Sequence, residues 1–425
     1  MINMRRLAFS TGGDRARAIE LAAVVFLWQA AVGVYFLSLV QQYLPQALHA
    51  GAAYPGYAMA CYGVAKFLWQ PVAGWIADRA GRRVTMIAGM AFSLPILALM
   101  MQIPSESWFL GFSALLGVGA ATMWPAFMAH VGETTPHDRR ARTMSVLNLA
   151  QMAGIGIGTV AGVIAVDFVT YGAAFWACIA FNGLALAMVL RSIDAPSTEH
   201  PYVPVEKAPV AATPETKGWT PGIAVLAVIV LFLTLGTSMH TPMIGAYTRD
   251  VLDVKMSYMA MLFPAPALAA GVILWKFGHL TDRYGREVPL VAGLFVAALS
   301  IFALTLTDSP IIVVHLVVLA GLAYAISVPA WGAAALDATD VGSRGLWLGA
   351  LAAVQGLGTA GGQALGGLVG SEWGPLAPFK FAAALLFVAL LLIVAHQRWQ
   401  ARGQGGTPTI TLTPAVQPLP VPIAD

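Results

Sequence analysis

Three residue patterns in this 425-residue chain are of types that can do chemistry. The first is a lysine inside a long apolar run. Lys66 lies two helical turns before Gly74, about 12 Å at about 1.5 Å per residue. That depth is near the middle of a bilayer, where an ammonium is costly unless it faces a cavity, water or a partner. Tyr62, Lys66 and Gln70 recur at i, i+4 and so share one helix face. With Gln29, Tyr35, Gln151, Gln355 and Gln363 on other apolar runs, they are candidates to line a central cavity that takes an anion. The alternative is that Lys66 snorkels or satisfies a helix carbonyl. Lys276 and Lys380 lie nearer the run ends, where snorkelling suffices.

The second pattern is Met239-His240-Thr241-Pro242-Met243. Two thioethers at i, i+4 with an imidazole within one turn suit copper(I) or another transition metal. With 17 methionines in an apolar chain, packing explains the same residues. The third pattern is the placement of the acids. Asp and Glu fall in loops and at run ends, not in the middle of any run. Buried carboxylates are the usual proton or sodium relays, so coupling would rest on His240, His315 or substrate exchange. No nucleophile–base set, metal triad or nucleotide loop is visible, so neither an enzyme nor a cofactor is expected.

These residues need elements to hold them, and composition says which. The chain is 58% hydrophobic and 10% charged, against about 25% charged in soluble proteins. Many apolar runs exceed the roughly 18 to 20 residues that cross a hydrocarbon core as a helix, and helices satisfy their own backbone there. The reading is an all-α integral membrane protein with spans at 19–43, 54–77, 84–104, 108–131, 143–165, 170–191, 221–246, 256–279, 288–307, 310–336, 345–370 and 376–397. The segment 192–220, rich in Pro, Glu, Lys and Thr, reads as a linker between six-helix bundles at 19–191 and 221–397. An N-terminal arm covers 1–18 and a disordered tail 398–425. Cys61 and Cys178 both lie in apolar runs, so no disulfide framework is implied. Pro242, Pro264 and Pro266 would bend spans seven and eight, as gate hinges or as packing kinks.

Orientation follows from the basic residues. Eighteen of the 23 Lys and Arg fall on one side, Arg249 and Lys255 fall on the other, and Lys66, Lys276 and Lys380 lie within the spans. Positive charge stays cytoplasmic, so both termini and the linker are expected there, in a plasma (inner) membrane. No cleavable signal is expected at the start of the chain.

The chain also repeats itself. Gly74-Trp75-Ile76-Ala77-Asp78-Arg79-Ala80-Gly81-Arg82 returns 204 residues later as Gly278-His279-Leu280-Thr281-Asp282-Arg283-Tyr284-Gly285-Arg286. Pro125-Ala126-Phe127 answers Pro329-Ala330-Trp331, Ala88-Gly89 answers Ala292-Gly293, and Gly154-x-x-x-Gly158 answers Gly358-x-x-x-Gly362, all at that offset. Several matches in register mean two similar halves around a central site.

The repeated loop resembles the signature of the major facilitator superfamily between helices two and three, and its second copy sits between helices eight and nine. The resemblance covers residues 19–397. It implies twelve helices in two pseudo-symmetric bundles and alternating access. It also implies that Asp78 meets the positive end of a helix in the other half and latches the outward-facing state. Arg82 would pair with Glu133, whose repeat counterpart Asp337 is again acidic. The latch set is Gly74, Asp78, Arg79, Gly81, Arg82, Glu133, Gly278, Asp282, Arg283, Gly285, Arg286 and Asp337. Gly74 would let a neighbouring backbone approach and Gly81 would permit a tight turn. Alternatively these charges only fix topology.

Other family patterns are degraded. Gly117-Val118-Gly119-Ala120-Ala121 resembles the end of the helix-four motif, but Ser113 stands where its arginine belongs. Gly154-x-x-x-Gly158-Thr159-x-x-Gly162 resembles the drug-antiporter motif with Thr159 for its proline, and Gln363 fills that position in the second half. Met239 and Met243 resemble the Met-x-x-x-Met of copper-importing members, without the companion His-x-x-x-Met. The expectation is a monomeric secondary transporter in the lipid bilayer for a small anionic or polar organic solute, with no nucleic-acid partner. The alternatives are transition-metal or iron-complex transport, drug efflux, and a transporter-like receptor or assembly factor without flux.

Overall fold

The computed structural model describes residues 12–135, 140–192, 221–262, 287–337 and 344–403. Among them the chain is helical and contains no strand. The first half gives α1 (Gly12–Val34), α2 (Tyr54–Ala80), α3 (Arg82–Gln102), α4 (Glu106–Thr134), α5 (Arg140–Phe168) and α6 (Tyr171–Ser192). The second gives α7 (Pro221–Met239), α8 (Met256–Leu262 as described), α9 (Glu287–Ala303), α10 (Pro310–Asp337), α11 (Arg344–Trp373) and α12 (Ala377–Gly403).

Two helices depart from simple spans. α1 widens into a π-helix over Tyr35–Tyr43 and closes with a turn at Leu44–Gln46. α7 ends at Met239; a 3-10 turn follows at Thr241–Met243, then a short α segment Ile244–Ala246 and a π-helical turn Tyr247–Val251. Pro242 lies in that 3-10 turn, where a missing N–H costs nothing. Pro264 and Pro266 lie outside the described residues.

Seven described helices are long and apolar enough to cross a membrane. α2 is 27 residues long but is not among them, because Lys66, Gln70 and its tyrosines lower its hydropathy.

The chain divides into two compact units. One comprises Met1–Pro209, Thr241–Met261 and Gln363–Pro375; the other comprises Val210–His240, Leu262–Gly362 and Leu376–Asp425. The units therefore do not follow the two sequence halves: the segment after α7, most of described α8 and the end of α11 belong with the first.

In the first unit α1 packs on α5 and α6, α2 on α4, and α3 on α4 and α6. The α1–α5 approach runs over small residues. A Cβ at Gly158 would lie 2.5 Å from Ala30 Cα, and one at Gly154 would lie 3.1 Å from Gln29 Cβ. Close backbones compensate for the missing hydrophobic drive between helices in lipid. The second unit uses the same devices. Gly358 and Gly362 of α11 face Thr234 and Leu235 of α7. A Cβ at Gly89 would lie 2.7 Å from Gly119 O, and at Gly293 2.6 Å from Ala323 O; both residue pairs are related by the repeat offset.

Candidate functional site

The polar stripe of α2 opens by degrees. Tyr62 is buried, Lys66 is half-buried and Gln70 is exposed. The helix starts with Pro55 in its first turn and stops at Gly81, whose φ of 90° favours glycine. It lies so close to α4 that a Cβ at Gly117 would strike the Tyr62 carbonyl. Trp69 donates to Thr122 Oγ1 at 3.0 Å, which fixes the rotation of α2 on α4. Lys66 has no hydrogen-bond or ion-pair partner among the described residues.

Tyr35 and Tyr62 come together, with ring centroids 5.9 Å apart, inside the first bundle. The Tyr35 hydroxyl donates to Ser113 Oγ at 2.7 Å, and its ring stacks on Phe109. Both tyrosines line a cavity of about 40 Å³ with Ser93, Cys178 and Asn182. That space suits water rather than an organic solute. Tyr35 and Tyr62 thus line a small internal cavity of the first bundle. Ser113, where the family motif has arginine, is the acceptor that makes this possible. Gln29 is buried on α1, Gln151 and Gln363 are half-buried, and Gln355 is exposed. The Gln363 Oε1 is buried without a partner among the described residues.

The loop between α2 and α3 gathers charge. Arg82 Nη1 donates to Asp78 Oδ1 at 2.5 Å and Nε to Glu133 Oε1 at 3.1 Å. Arg83 donates to the Leu190 carbonyl at 2.8 Å, and Arg79 lies 4.0 Å over the Trp75 ring. One loop thus ties the ends of α2, α3, α4 and α6. Asp78 and Glu133 are exposed, so each pair contributes about 0.2 to 1 kcal/mol. A Cβ at Gly74 would meet nothing within 4 Å among the described residues. Gly278, Asp282, Arg283, Gly285 and Arg286 lie outside the described residues, as does the Asp337 side chain.

The metal candidates lie where α7 ends. The α-helix ends at Met239 and the 3-10 turn follows, so the i, i+4 register needed to stack the two sulfurs is interrupted. Met239 and Met243 are buried. The Met243 sulfur lies against Gly370, and the His240 ring lies 5.5 Å from that of Phe379.

The opposite end from Gly81 holds polar contacts that composition does not reveal. Gln41 Nε2 donates to the Thr241 carbonyl at 2.7 Å, and its Oε1 accepts from the Gly245 N–H at 2.6 Å. One buried amide thereby satisfies a donor and an acceptor freed by the break in α7. Asp167 accepts from Gln42 Nε2 at 3.2 Å and from the Ser257 N–H at 2.9 Å. Beside them lies a recess of about 350 Å³ lined by Gln42, Gln46, Asp167, Arg249 and Lys255 among others. The sequence reading missed Gln41, Gln42 and Asp167. The available signal was a pair of amides ending an otherwise apolar run.

A family model described as Major Facilitator Superfamily matches residues 21–309 and 226–416. The proton-coupled antiporter flippase LtaA of Staphylococcus saprophyticus is 23% identical over 381 residues, covering 88% of this chain and 92% of that protein. The protein of the same name in Staphylococcus aureus is 22% identical over 380 residues, with 88% and 92% covered. Three solved structures share the fold. The nucleoside transporter NupG gives a TM-score of 0.66 at 11% identity, covering 89% of this chain and 98% of that one. A bacterial homologue of the human lysosomal transporter Spinster, inward-facing and unoccupied, gives 0.69 at 15%, covering 91% and 96%. The human organic anion transporter MFSD10 gives 0.63 at 16%, covering 90% and 100%.

Proposed function

Because the chain belongs to the major facilitator superfamily, we propose that it carries a small anionic or polar organic solute across a membrane by alternating access. Both termini face the cytoplasm in this reading, and the end bearing Gln41 and Asp167 faces outward. Lys66 is the observation that carries it. This lysine sits in a spanning helix, half-buried, with no ionic partner among the described residues. A fixed ammonium in that position persists when water or a mobile anion offsets its desolvation. The polar face widens from Tyr62 toward Gln70, so a solute would enter from the Gly81 end and stop near Lys66.

The test is a thermal-stability screen of the purified protein against anionic, neutral and cationic solutes. A ligand at a hundred times its Kd adds about 2.7 kcal/mol. Hits are then followed as uptake into proteoliposomes, with and without a pH gradient, because the staphylococcal relatives are proton-coupled antiporters. Stabilisation by anions with flux supports the reading. Stabilisation by neutral or cationic solutes alone overturns the charge assignment. Binding without flux makes the chain a receptor.

A further inference from the structure

The end that carries Gln41 is closed by two contacts that the internal repeat makes equivalent, and they are built differently. On one side α2 meets α11 backbone to backbone. A Cβ at Gly56 would lie 2.8 Å from Gly367 Cα, and one at Gly367 would lie 3.1 Å from Gly56 Cα. The repeat offset carries Gly56 to Ala260 and Val163 to Gly367. Val163 and Ala260 accordingly share a buried cluster with Met256, where α5 meets α8. Here side chains, not glycines, stand between the helices. One turn along, Asp167 bridges Gln42 and the Ser257 N–H. Its repeat counterpart, Ser371, only turns back to the Leu368 carbonyl of its own helix at 2.8 Å.

We propose that Asp167 is the releasable clasp of this end, and that the Gly56–Gly367 contact is the pivot about which it opens. The inference rests on the alternating-access reading and on its orientation. A contact of bare backbone is non-directional and tolerates rotation. The carboxylate bonds are directional, but they border the recess of about 350 Å³, so water can replace Gln42 and Ser257 as donors without stranding a buried charge. Arg249 and Lys255 line the same recess and make it polar. The polar arm can therefore let go while the glycine arm holds. Asp167 touches no solute in this scheme; it is a positioning residue for the transport cycle.

The reporter is Val163→Cys in a chain whose own cysteines are replaced (Cys61→Ser, Cys178→Ala). Its modification by a membrane-impermeant maleimide is timed in right-side-out and inverted vesicles, with membrane abundance measured alongside. Asp167→Ala should raise the outside rate at least fivefold. Asp167→Asn should raise it less. Both partners of Asp167 are donors, and an amide keeps one acceptor while its NH2 faces the other donor. Combining Asp167→Asn with Gln42→Glu restores a donor–acceptor match and should return the rate to that of the parent, which a loss of general packing would not do. Gly367→Leu, which wedges the glycine contact, is the positive control for labelling. Equal rates in Asp167→Ala and the parent, with Gly367→Leu labelled, overturn the clasp. A rise confined to inverted vesicles keeps the clasp and overturns the orientation.

Discussion

Gln41 and Gly245 are joined by a hydrogen bond of 2.6 Å, and they stand 204 positions apart in the chain. That separation is the offset of the internal repeat, so each residue touches its own counterpart. Such a contact can form only where the axis relating the two copies passes. The bond therefore marks the crossing of α1 with the broken end of α7, and glycine is required there: a Cβ at Gly245 would lie 2.6 Å from the Gln41 carbonyl oxygen. Gly245→Ala should separate this crossing and lower the melting temperature of the purified protein by several degrees, whereas the same change at Gly111, where a Cβ would meet nothing within 4 Å among the described residues, should be neutral. Equal melting temperatures for the two variants would count against a tight crossing.

At the other end, Asp78→Asn removes the carboxylate charge that Arg82 holds. Arg82 keeps Glu133, so insertion and abundance should stay close to normal while solute flux falls strongly through a changed balance of states. Flux at the parent rate would reduce the loop to a topology signal. Asp282→Asn, in the second copy, should matter less if the halves are functionally unequal.

Lys66→Gln keeps length and polarity but removes the charge. Affinity for an anionic solute should weaken at least tenfold, about 1.4 kcal/mol, with little loss of stability because Lys66 has no fixed partner among the described residues. Lys66→Arg should retain part of the affinity, since charge remains while geometry changes. Isothermal titration of all three proteins decides it, and equal affinity in Lys66→Gln would favour a neutral solute.

Met239→Leu and Met243→Leu should leave cellular metal content unchanged at equal protein abundance, because the turn at Thr241–Met243 interrupts the register that would pair the sulfurs. A fall in metal content would restore the metal reading.

Tags inserted at 205–215 and at the C-terminus should both be protected from outside protease in intact cells. Cleavage of either would reverse the orientation derived from the basic residues.

The helices were legible because hydropathy sums transfer energy along a run, and each run here is long. The repeat was legible because its glycines and loop charges recur in register. Faces were less so. Tyr35 and Tyr62 read as cavity walls because a polar tip in an apolar run suggests water, yet Ser113 supplies an internal acceptor for Tyr35. Gln41, Gln42 and Asp167 stayed invisible because their partners are far away in the chain: backbone groups at the break after α7 for Gln41, the Ser257 N–H of α8 for Asp167, and Asp167 itself for Gln42. No local pattern encodes that break beyond Pro242.

The low hydropathy of α2 bears on how the protein is made. A nascent segment carrying Lys66 partitions poorly into lipid by itself, since a central lysine opposes insertion by about 2.5 to 3.5 kcal/mol. Its packing partner is α4, which leaves the ribosome later. α2 must then wait beside the insertion machinery, or be retained by the flanking helices, until α4 arrives to cover it. Replacing Lys66 with leucine would speed that step while removing the charge proposed to meet the solute.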